Sequence, residues 1–272
     1  MPTGAVPAEP AAQPTGRSAG AAGTMPPVGG PPRAAAHVGG EQGLLRLAKK
    51  SGVLGCLPES DLLPLLRRAT LRHLKARETL FTMGEAGSFL VLVLDGYVKL
   101  SSVTPGGREI VLEIAGPGGV FGELAVLNDW PRSADAMALS PARVLCVDGR
   151  QLIAAMMRAP EALLAITRMI STRLRNTTEQ VVDAATLPAG ARLAKALLQL
   201  AGLKSHDAGE GLQIDLELSQ RELGGMTDLT RESINKHLAT WRDAGWVRLS
   251  GKAVTLTDIA ALQRVLGENV VV

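Results

Sequence analysis

Aromatic residues, cysteines and long apolar runs are scarce in this 272-residue sequence. Phe, Trp and Tyr make up 3% of the chain, so its hydrophobic cores must be built mainly from aliphatic side chains. The two cysteines, Cys56 and Cys146, form no CxxC pair, and two thiolates are too few for a four-cysteine iron–sulfur cluster. We expect two buried free thiols, with a single disulfide as the alternative.

Signals for membrane insertion, export and catalysis are also missing. No segment approaches the roughly 18 apolar residues of a membrane span, and the N-terminus has no basic region followed by an apolar one. We therefore expect a cytoplasmic protein without a membrane partner. His73 and His206 have no partners at ligand spacing, so no metal site is predicted. The sequence contains no recognisable nucleophile–base pair, so an enzyme is not expected. The net charge of +3 is too small to predict binding to nucleic acid by itself.

Residues 121–134 combine side chains that suit a small phosphorylated ligand. Gly122 permits close backbone approach, and a helix that begins there directs free N–H groups the same way. Glu123 supplies an acceptor for a hydroxyl group, and Arg132 a charged planar fork that matches phosphate oxygens. Ser133 adds a hydroxyl beside it. Taken singly, such residues usually belong to a surface turn, but here they share one short stretch.

The string G-E-L-A-x-L-x-x-x-P-R-S-A, which begins at Gly122, closely resembles the phosphate-binding cassette of cyclic-nucleotide-binding domains. The resemblance therefore implies that a cyclic nucleotide contacts the following residues of the cassette: Gly122, Glu123, Leu124, Arg132 and Ser133.

The segments around the cassette predict a mostly β-stranded domain. Residues 1–40 are rich in Ala, Pro and Gly and predict a disordered tail, whereas residues 43–69 have helical apolar spacing. Beyond them, Asp95-Gly96 predicts a two-residue hairpin and residues 105–107 predict another turn. Short strands with Gly turns favour a barrel or jelly roll, which agrees with the β-roll of the family. We assign residues 43–159 to this β-roll and its N-terminal helices.

A long helical pattern follows, with a break near Pro160. Its apolar residues repeat every three or four positions, which fits a coiled-coil seam or a helix packed on its own β-roll. The length and position favour a dimerisation helix over residues 160–186. The proposed seam consists of Leu163, Ile166, Ile170, Leu174 and Val181.

Two threonines, Thr177 and Thr178, interrupt this helix one turn after Arg173. Their hydroxyls either bond back to the helix or face the cassette. The string R-L-x-x-T-T-E-x-V resembles the central helix of cyclic-AMP-binding members of the CRP/FNR family of regulators. That resemblance implies that Thr177 contacts the base in its own subunit and Thr178 reaches across a dimer. It also implies that Arg173 lies near Glu123 and that the ligand is cyclic AMP.

Residues 187–272 predict a winged helix-turn-helix. Ser219 and Glu222 form a capping-box pattern, and Thr230 caps a second helix. A wing hairpin turns at Ser250-Gly251. The start of the second helix enters the major groove in this motif, so base contacts are expected from Arg231 and Glu232. Lys236, one turn on, is expected to reach a phosphate or a base edge. Candidates for phosphate contacts are Ser219, Arg221, Thr230 and Lys252.

The second helix, T-R-E-S-I-N-K-H-L, resembles the recognition helix of the CRP/FNR family with two departures. Asp228 occupies a turn position that is often Gly, and Lys236 replaces a base-reading Arg. Lysine keeps the charge but loses the fork, so specificity at that base is expected to be relaxed.

These features together predict an α+β protein with a cyclic-nucleotide-binding β-roll, a dimerisation helix and a winged helix-turn-helix. The function expected is a homodimeric, cyclic-AMP-responsive transcription regulator that binds palindromic double-stranded DNA and contacts RNA polymerase. One alternative is the same architecture with another effector or none. A second is a regulatory subunit that uses the sensor domain alone.

Overall fold

The computed structural model of the chain describes residues 40–251 and 253–267. The predicted disordered tail, except for Gly40, and the candidate Lys252 lie outside the described residues. In chain order the elements are α1 (Gly40–Lys49), a 3₁₀ turn (Leu54–Cys56), α2 (Glu59–Arg68), β1 (Thr70–Leu74), β2 (Thr79–Phe81), β3 (Phe89–Asp95), β4 (Val98–Val103), β5 (Glu109–Ala115), β6 (Val120–Phe121), α3 (Glu123–Asn128), β7 (Asp135–Ala138), β8 (Ala142–Asp148), α4 (Gly149–Met156), α5 (Pro160–Thr186), α6 (Ala189–Leu203), β9 (Ser205–Asp207), β10 (Leu212–Ile214), α7 (Gln220–Thr227), α8 (Arg231–Asp243), β11 (Val247–Ser250), β12 (Ala253–Leu256) and α9 (Ile259–Gly267).

The first eight strands form a β-roll of two antiparallel four-stranded sheets. One sheet has the order β1-β8-β3-β6 and the other β2-β7-β4-β5. An apolar core lies between them and includes Phe81, Val91, Val98 and Phe121. A second core, on the outer side of β3 and β8, packs under α1, α2, α4 and the start of α5. The β-roll prediction is therefore confirmed.

The hairpin predicted at Asp95-Gly96 is wrong. Strand β3 pairs with β6 and β8, whereas β4 pairs with β5 and β7, so the turn carries the chain between sheets. The reason is burial, because five consecutive residues of β3 are buried and the strand is internal to its sheet. The turn predicted at residues 105–107 does join a hairpin, β4–β5.

The long helix breaks near Pro160 as predicted, because α4 ends at Met156 and α5 begins at Pro160. The predicted seam is wrong in its first half, since Leu163, Ile166 and Ile170 pack on the chain's own core. Leu174 and Val181, the other two residues of the predicted seam, are exposed and belong to a stripe at heptad spacing along α5. The other members of this stripe are Leu164, Thr167, Ser171, Thr178 and Ala185. No helix in the described ranges is long and apolar enough to cross a membrane.

The C-terminal domain is a winged helix-turn-helix with a four-stranded sheet of order β11-β12-β10-β9. The predicted capping box of Ser219 and Glu222 is confirmed, and Thr230 caps α8. Asp228 adopts the left-handed conformation in the turn, with φ of 57°. The core of this domain continues onto the β-roll, where Tyr97 and Val111 join it.

Candidate functional site

Arg132 of the cassette is buried between two aromatic rings. Its side chain is 3% exposed, and Cζ lies 4.2 Å from the ring centre of Phe81 and 4.4 Å from that of Phe89. Nη1 donates to the Gly122 carbonyl at 3.2 Å and Nη2 to the Phe89 carbonyl at 2.9 Å. Nε is buried without a hydrogen-bond partner in the described chain. Burial lowers the pKa of Arg132, and the opposing charges of Cys146, Glu85 and Glu123 do not offset it.

Two glycines make room for this guanidinium. Gly122 has φ of 85°, and a Cβ at this position would lie 2.5 Å from Nη1 of Arg132. At Gly87 a Cβ would lie 3.1 Å from Nε of the same arginine and 2.3 Å from Cβ of Ala125. The backbone of Arg132 is also fixed, since its N–H donates to the Glu85 carbonyl at 2.7 Å. The cassette thus presents a rigidly held arginine.

Glu123 lies at the start of α3 and forms an ion pair with Arg173 of α5. The glutamate is 4% exposed, and its Oε2 lies 2.7 Å from Nη1 of Arg173. The same guanidinium donates through Nε to Oε2 of Glu113 at 2.7 Å and through Nη2 to the Val120 carbonyl. Burial alone would lower the pKa of Arg173, but Glu113 and Glu123 outweigh it and raise the pKa. The predicted proximity of Arg173 and Glu123 is therefore observed.

The remaining cassette candidates flank these groups. Helix α3 begins directly after Gly122, and Leu124 lies half-buried in its first turn. Ser133 is exposed next to the buried Arg132. Among the described residues, no group of three or more His, Cys, Asp or Glu side chains is placed to hold a metal ion.

The two threonines of α5 have different surroundings. Thr177 lines a cavity of about 640 Å³ between β5, α5, α6 and α7, together with Glu113. Gly122, Arg132 and Ser133 are not part of its walls. Thr178 lies on the exposed stripe of α5, and its hydroxyl donates to the Leu174 carbonyl at 2.9 Å. Within one subunit, therefore, Thr177 is near the Glu113 end of the site and Thr178 points outward.

Three residues that contact the site's arginines were not predicted from the sequence. Glu113 pairs with Arg173, and Phe81 and Phe89 sandwich Arg132. The alternating pattern of β5 places Glu113 on one face of a strand, but nothing local to it indicates a partner 60 residues away. The two phenylalanines look like ordinary core residues in a chain with three.

The recognition helix α8 presents the predicted base-contacting side chains to solvent. Arg231, Glu232 and Lys236 are exposed, while Ile234 and Trp241 are buried on the opposite face. Nε of Arg231 donates to Oε1 of Gln220 at 3.0 Å, which links the starts of α7 and α8. This face is exposed and polar, as a helix that contacts base edges in the major groove must be.

The candidates for phosphate contacts are less uniform. The Ser219 hydroxyl is engaged in the capping box, where it donates to Oε2 of Glu222 at 2.7 Å. Thr230 accepts from the Ser233 N–H at 3.2 Å. Arg221 is largely exposed and lies 3.6 Å from Glu109 of the β-roll.

Comparison with known proteins agrees with this arrangement. Residues 71–159 match the family model of the cyclic nucleotide-binding domain, and residues 191–265 that of the Crp-like helix-turn-helix domain. A CRP-like cAMP-activated global transcriptional regulator of Mycobacterium tuberculosis (strain ATCC 25618 / H37Rv) is 34% identical over 186 residues, which cover 68% of this chain and 83% of the relative.

Other relatives extend the comparison. A global nitrogen regulator of Nostoc sp. (strain PCC 7120) is 28% identical over 189 residues, 69% of this chain and 85% of that protein. The crystal structure of a CRP-family transcriptional regulator from Thermus thermophilus is 30% identical, with a TM-score of 0.63 over 72% of this chain and 96% of that one. The chain therefore belongs to the CRP-like family of transcription regulators, with a cyclic nucleotide-binding domain followed by a DNA-binding helix-turn-helix.

Proposed function

We propose that this protein is a homodimeric transcription regulator that binds cyclic AMP and, in response, a palindromic DNA site. The observation that carries the proposal is Arg132, a buried guanidinium whose Nε has no hydrogen-bond partner and which forms no close ion pair with any of the described residues. An anion beside Nε would satisfy both the charge and the hydrogen bond. A monoanionic cyclic phosphate has that chemistry.

The other cassette residues match the rest of such a ligand. When bound, cyclic AMP supplies one phosphate charge, one free ribose hydroxyl and an adenine base. Arg132 and Ser133 would hold the phosphate, with the backbone at Gly122 and Leu124 beside it. Glu123 would accept from the ribose hydroxyl through Oε1, because Oε2 is bonded to Arg173. Thr177 of one subunit and Thr178 of its partner would contact the base.

The exposed stripe of α5 supports a homodimer. Leu174 is 68% exposed and Val181 is 65% exposed, and a second copy of α5 would cover both. Thr178 lies between them on the same stripe, and in the proposed dimer it would reach a ligand in the other subunit. In a dimer the two recognition helices would be about 34 Å apart, which is one turn of DNA.

Regulation requires that the nucleotide bind one arrangement of the DNA-binding domains more tightly than another. Arg173 of α5 bonds both Glu113 and Glu123 of the β-roll. A ligand that binds Glu123 would therefore act on a side chain that is bonded to α5, the proposed dimerisation helix. As a bacterial-type regulator, the protein is proposed to act in the cytoplasm and to contact RNA polymerase from its DNA site.

A different effector is the second candidate. Relatives include a global nitrogen regulator, so membership of the family does not fix the ligand. A regulatory subunit that uses the sensor alone is less well supported, because the chain carries a complete helix-turn-helix with an exposed recognition helix.

Calorimetric titration of the purified chain with cyclic AMP tests the effector, with cyclic GMP as the matched control. We expect micromolar binding of cyclic AMP and weaker binding of cyclic GMP. Binding no tighter than millimolar would reject cyclic AMP. Selection of DNA from a randomised library, with and without the nucleotide, tests the response. Palindromic DNA binding that ignores cyclic AMP would favour the second candidate.

A further inference from the structure

The DNA-binding domain is joined to the β-roll by an ionic cluster around a buried lysine. Lys99 of β4 is 1% exposed, and its Nζ bonds Glu109 of β5. The same Nζ lies 3.4 Å from Oε1 of Glu222 on α7. Arg77, which precedes β2, bonds the same Glu222 oxygen from the β-roll side. Glu222 is thus held by two cations of the other domain.

This cluster depends on contact between the domains. Lys99 faces outward from the β-roll, and in the absence of α7 such a lysine would be solvated. Burying an ammonium group is costly unless it is paired and hydrogen-bonded. Burial alone would raise the pKa of Glu222, but the bonds from Arg77 and Ser219 and the charge of Lys99 together lower it. The pairing therefore favours the ionised form of a nearly buried carboxylate.

The rest of the interface is apolar and closely packed. Tyr97, Val111 and Ile114 of the β-roll share a core with the C-terminal domain. A Cβ at Gly225 of α7 would lie 3.0 Å from the Glu109 carbonyl, so the helix rests directly on the backbone of β5. Apolar contact is non-directional and tolerates sliding, whereas charged hydrogen bonds fix one register.

We propose that Lys99 is a positioning residue for DNA recognition, which fixes the angle of the DNA-binding domain and so sets the half-site spacing that the dimer accepts. This inference rests on the proposed function, because it requires two subunits on two half-sites. The connection is short: α7 contacts the β-roll through Glu222, and α8 follows α7 after the tight turn at Asp228. Asp228 itself bonds Arg108 of the β4–β5 hairpin.

The first test is a set of duplexes in which two inverted half-sites are separated by spacers of different length. Lys99→Met keeps an unbranched side chain but removes the charge, and Lys75→Met changes an exposed lysine of the same domain as a control. We expect wild type and Lys75→Met to prefer one spacer at least tenfold over spacers one base pair longer or shorter. Lys99→Met should discriminate less than threefold. Unchanged discrimination in Lys99→Met would overturn the proposal.

A second variant approaches the cluster from the other domain. Glu222→Gln keeps an oxygen for the capping box but loses the charge that Lys99 binds. It should relax the spacing preference as Lys99→Met does, and the double variant should be no more relaxed than either single one. Additive effects in the double variant would mean that the two residues act separately, which contradicts the proposal.

Hydrogen exchange of the free proteins separates this inference from the proposed function, since it needs neither DNA nor nucleotide. In Lys99→Met, amides of β5 and α7 should exchange about tenfold faster together, while those of β3 are unchanged. Faster exchange in α7 alone, or in neither β5 nor α7, would show that the ionic cluster around Lys99 does not hold the two domains together. If β3 also exchanges faster, the β-roll has been disrupted and Glu222→Gln decides. If Lys99→Met shows this faster exchange but the wild type binds no duplex with paired half-sites, the proposed function fails. The role of Lys99 in half-site spacing then fails with it, although the ionic contact between the domains stands.

Discussion

Two arginines of the sensor domain, Arg132 and Arg173, have opposite surroundings. Arg132 contacts two aromatic rings and two carbonyl oxygens, and burial lowers its pKa. Arg173 contacts two carboxylates and a carbonyl, and its pKa is raised. Nε of Arg132 has no hydrogen-bond partner among the described residues and could bind an anionic ligand, whereas all three guanidinium nitrogens of Arg173 are bonded to the protein. This contrast supports the proposal that Arg132 binds the ligand and that Arg173 orients Glu123.

The largest effect is expected from Arg132→Met on ligand binding. Losing a charged partner in a desolvated site costs about 3 kcal/mol, which is a loss of about 100-fold in affinity. Methionine keeps an unbranched chain between the two rings, so the free energy of unfolding should change much less. Calorimetric titration with cyclic AMP measures the first quantity and urea denaturation the second.

Arg150→Met, at an exposed position of α4, serves as the control and should leave both quantities unchanged. An Arg132→Met protein that binds cyclic AMP as well as the wild type would show that this guanidinium is structural, and the contrast between the two arginines would be lost.

The reverse pattern is expected from Arg173→Met. Its removal leaves Glu113 and the buried Glu123 without their cation, so the free energy of unfolding should fall by about 3 kcal/mol. Affinity for cyclic AMP should fall less than in Arg132→Met, because Arg173 acts through Glu123. Urea denaturation at pH 7 gives the stability.

The pH dependence of Arg173→Met provides its own check. An unpaired buried carboxyl has a pKa raised above its unfolded value, so protonation favours the folded state. The stability difference from wild type should therefore narrow as the pH falls from 7 to 5. A constant difference would indicate lost packing of the side chain, not unpaired carboxylates.

The sequence predicted features that depend on neighbouring residues. The start of α3 after Gly122, the break at Pro160 and the capping box at Ser219 each follow from a few adjacent side chains. Family resemblance added the proximity of Arg173 to Glu123, which spacing alone does not indicate. These local signals located most of the candidate site.

Features that depend on burial by distant segments were missed. Asp95-Gly96 has the composition of a hairpin, but the burial of β3 gives it other neighbours. Lys99 looks like a solvent-facing strand residue and is buried because α7 covers it. The first half of the α5 seam was misplaced, because the same periodicity describes a helix face that packs inward on the chain's own core.

A smaller effect is expected from Gly122→Ala. Its φ of 85° is left-handed, which costs about 1–2 kcal/mol for a residue with a Cβ. That Cβ would also displace Nη1 of Arg132 from its hydrogen bond with the carbonyl of residue 122. Both quantities should fall, the free energy of unfolding by less than in Arg173→Met and the affinity for cyclic AMP by less than in Arg132→Met. Gly84→Ala, also at positive φ but with open space around it, should affect stability alone.

The smallest effect is expected on the thiol of Cys146. Burial raises its pKa to about 11, and the charges of Arg72 and Arg132 oppose that rise. Removing Arg132 should raise the pKa further, because a nearby cation favours the thiolate, whereas Arg173→Met should leave it unchanged. At pH 9.5 the thiolate fraction, and with it the alkylation rate of Cys146 in a Cys56→Ser background, should fall about twofold in Arg132→Met. Equal rates in Arg132→Met and in the stability-matched control Arg150→Met would mean that the charge of Arg132 does not act on this thiol.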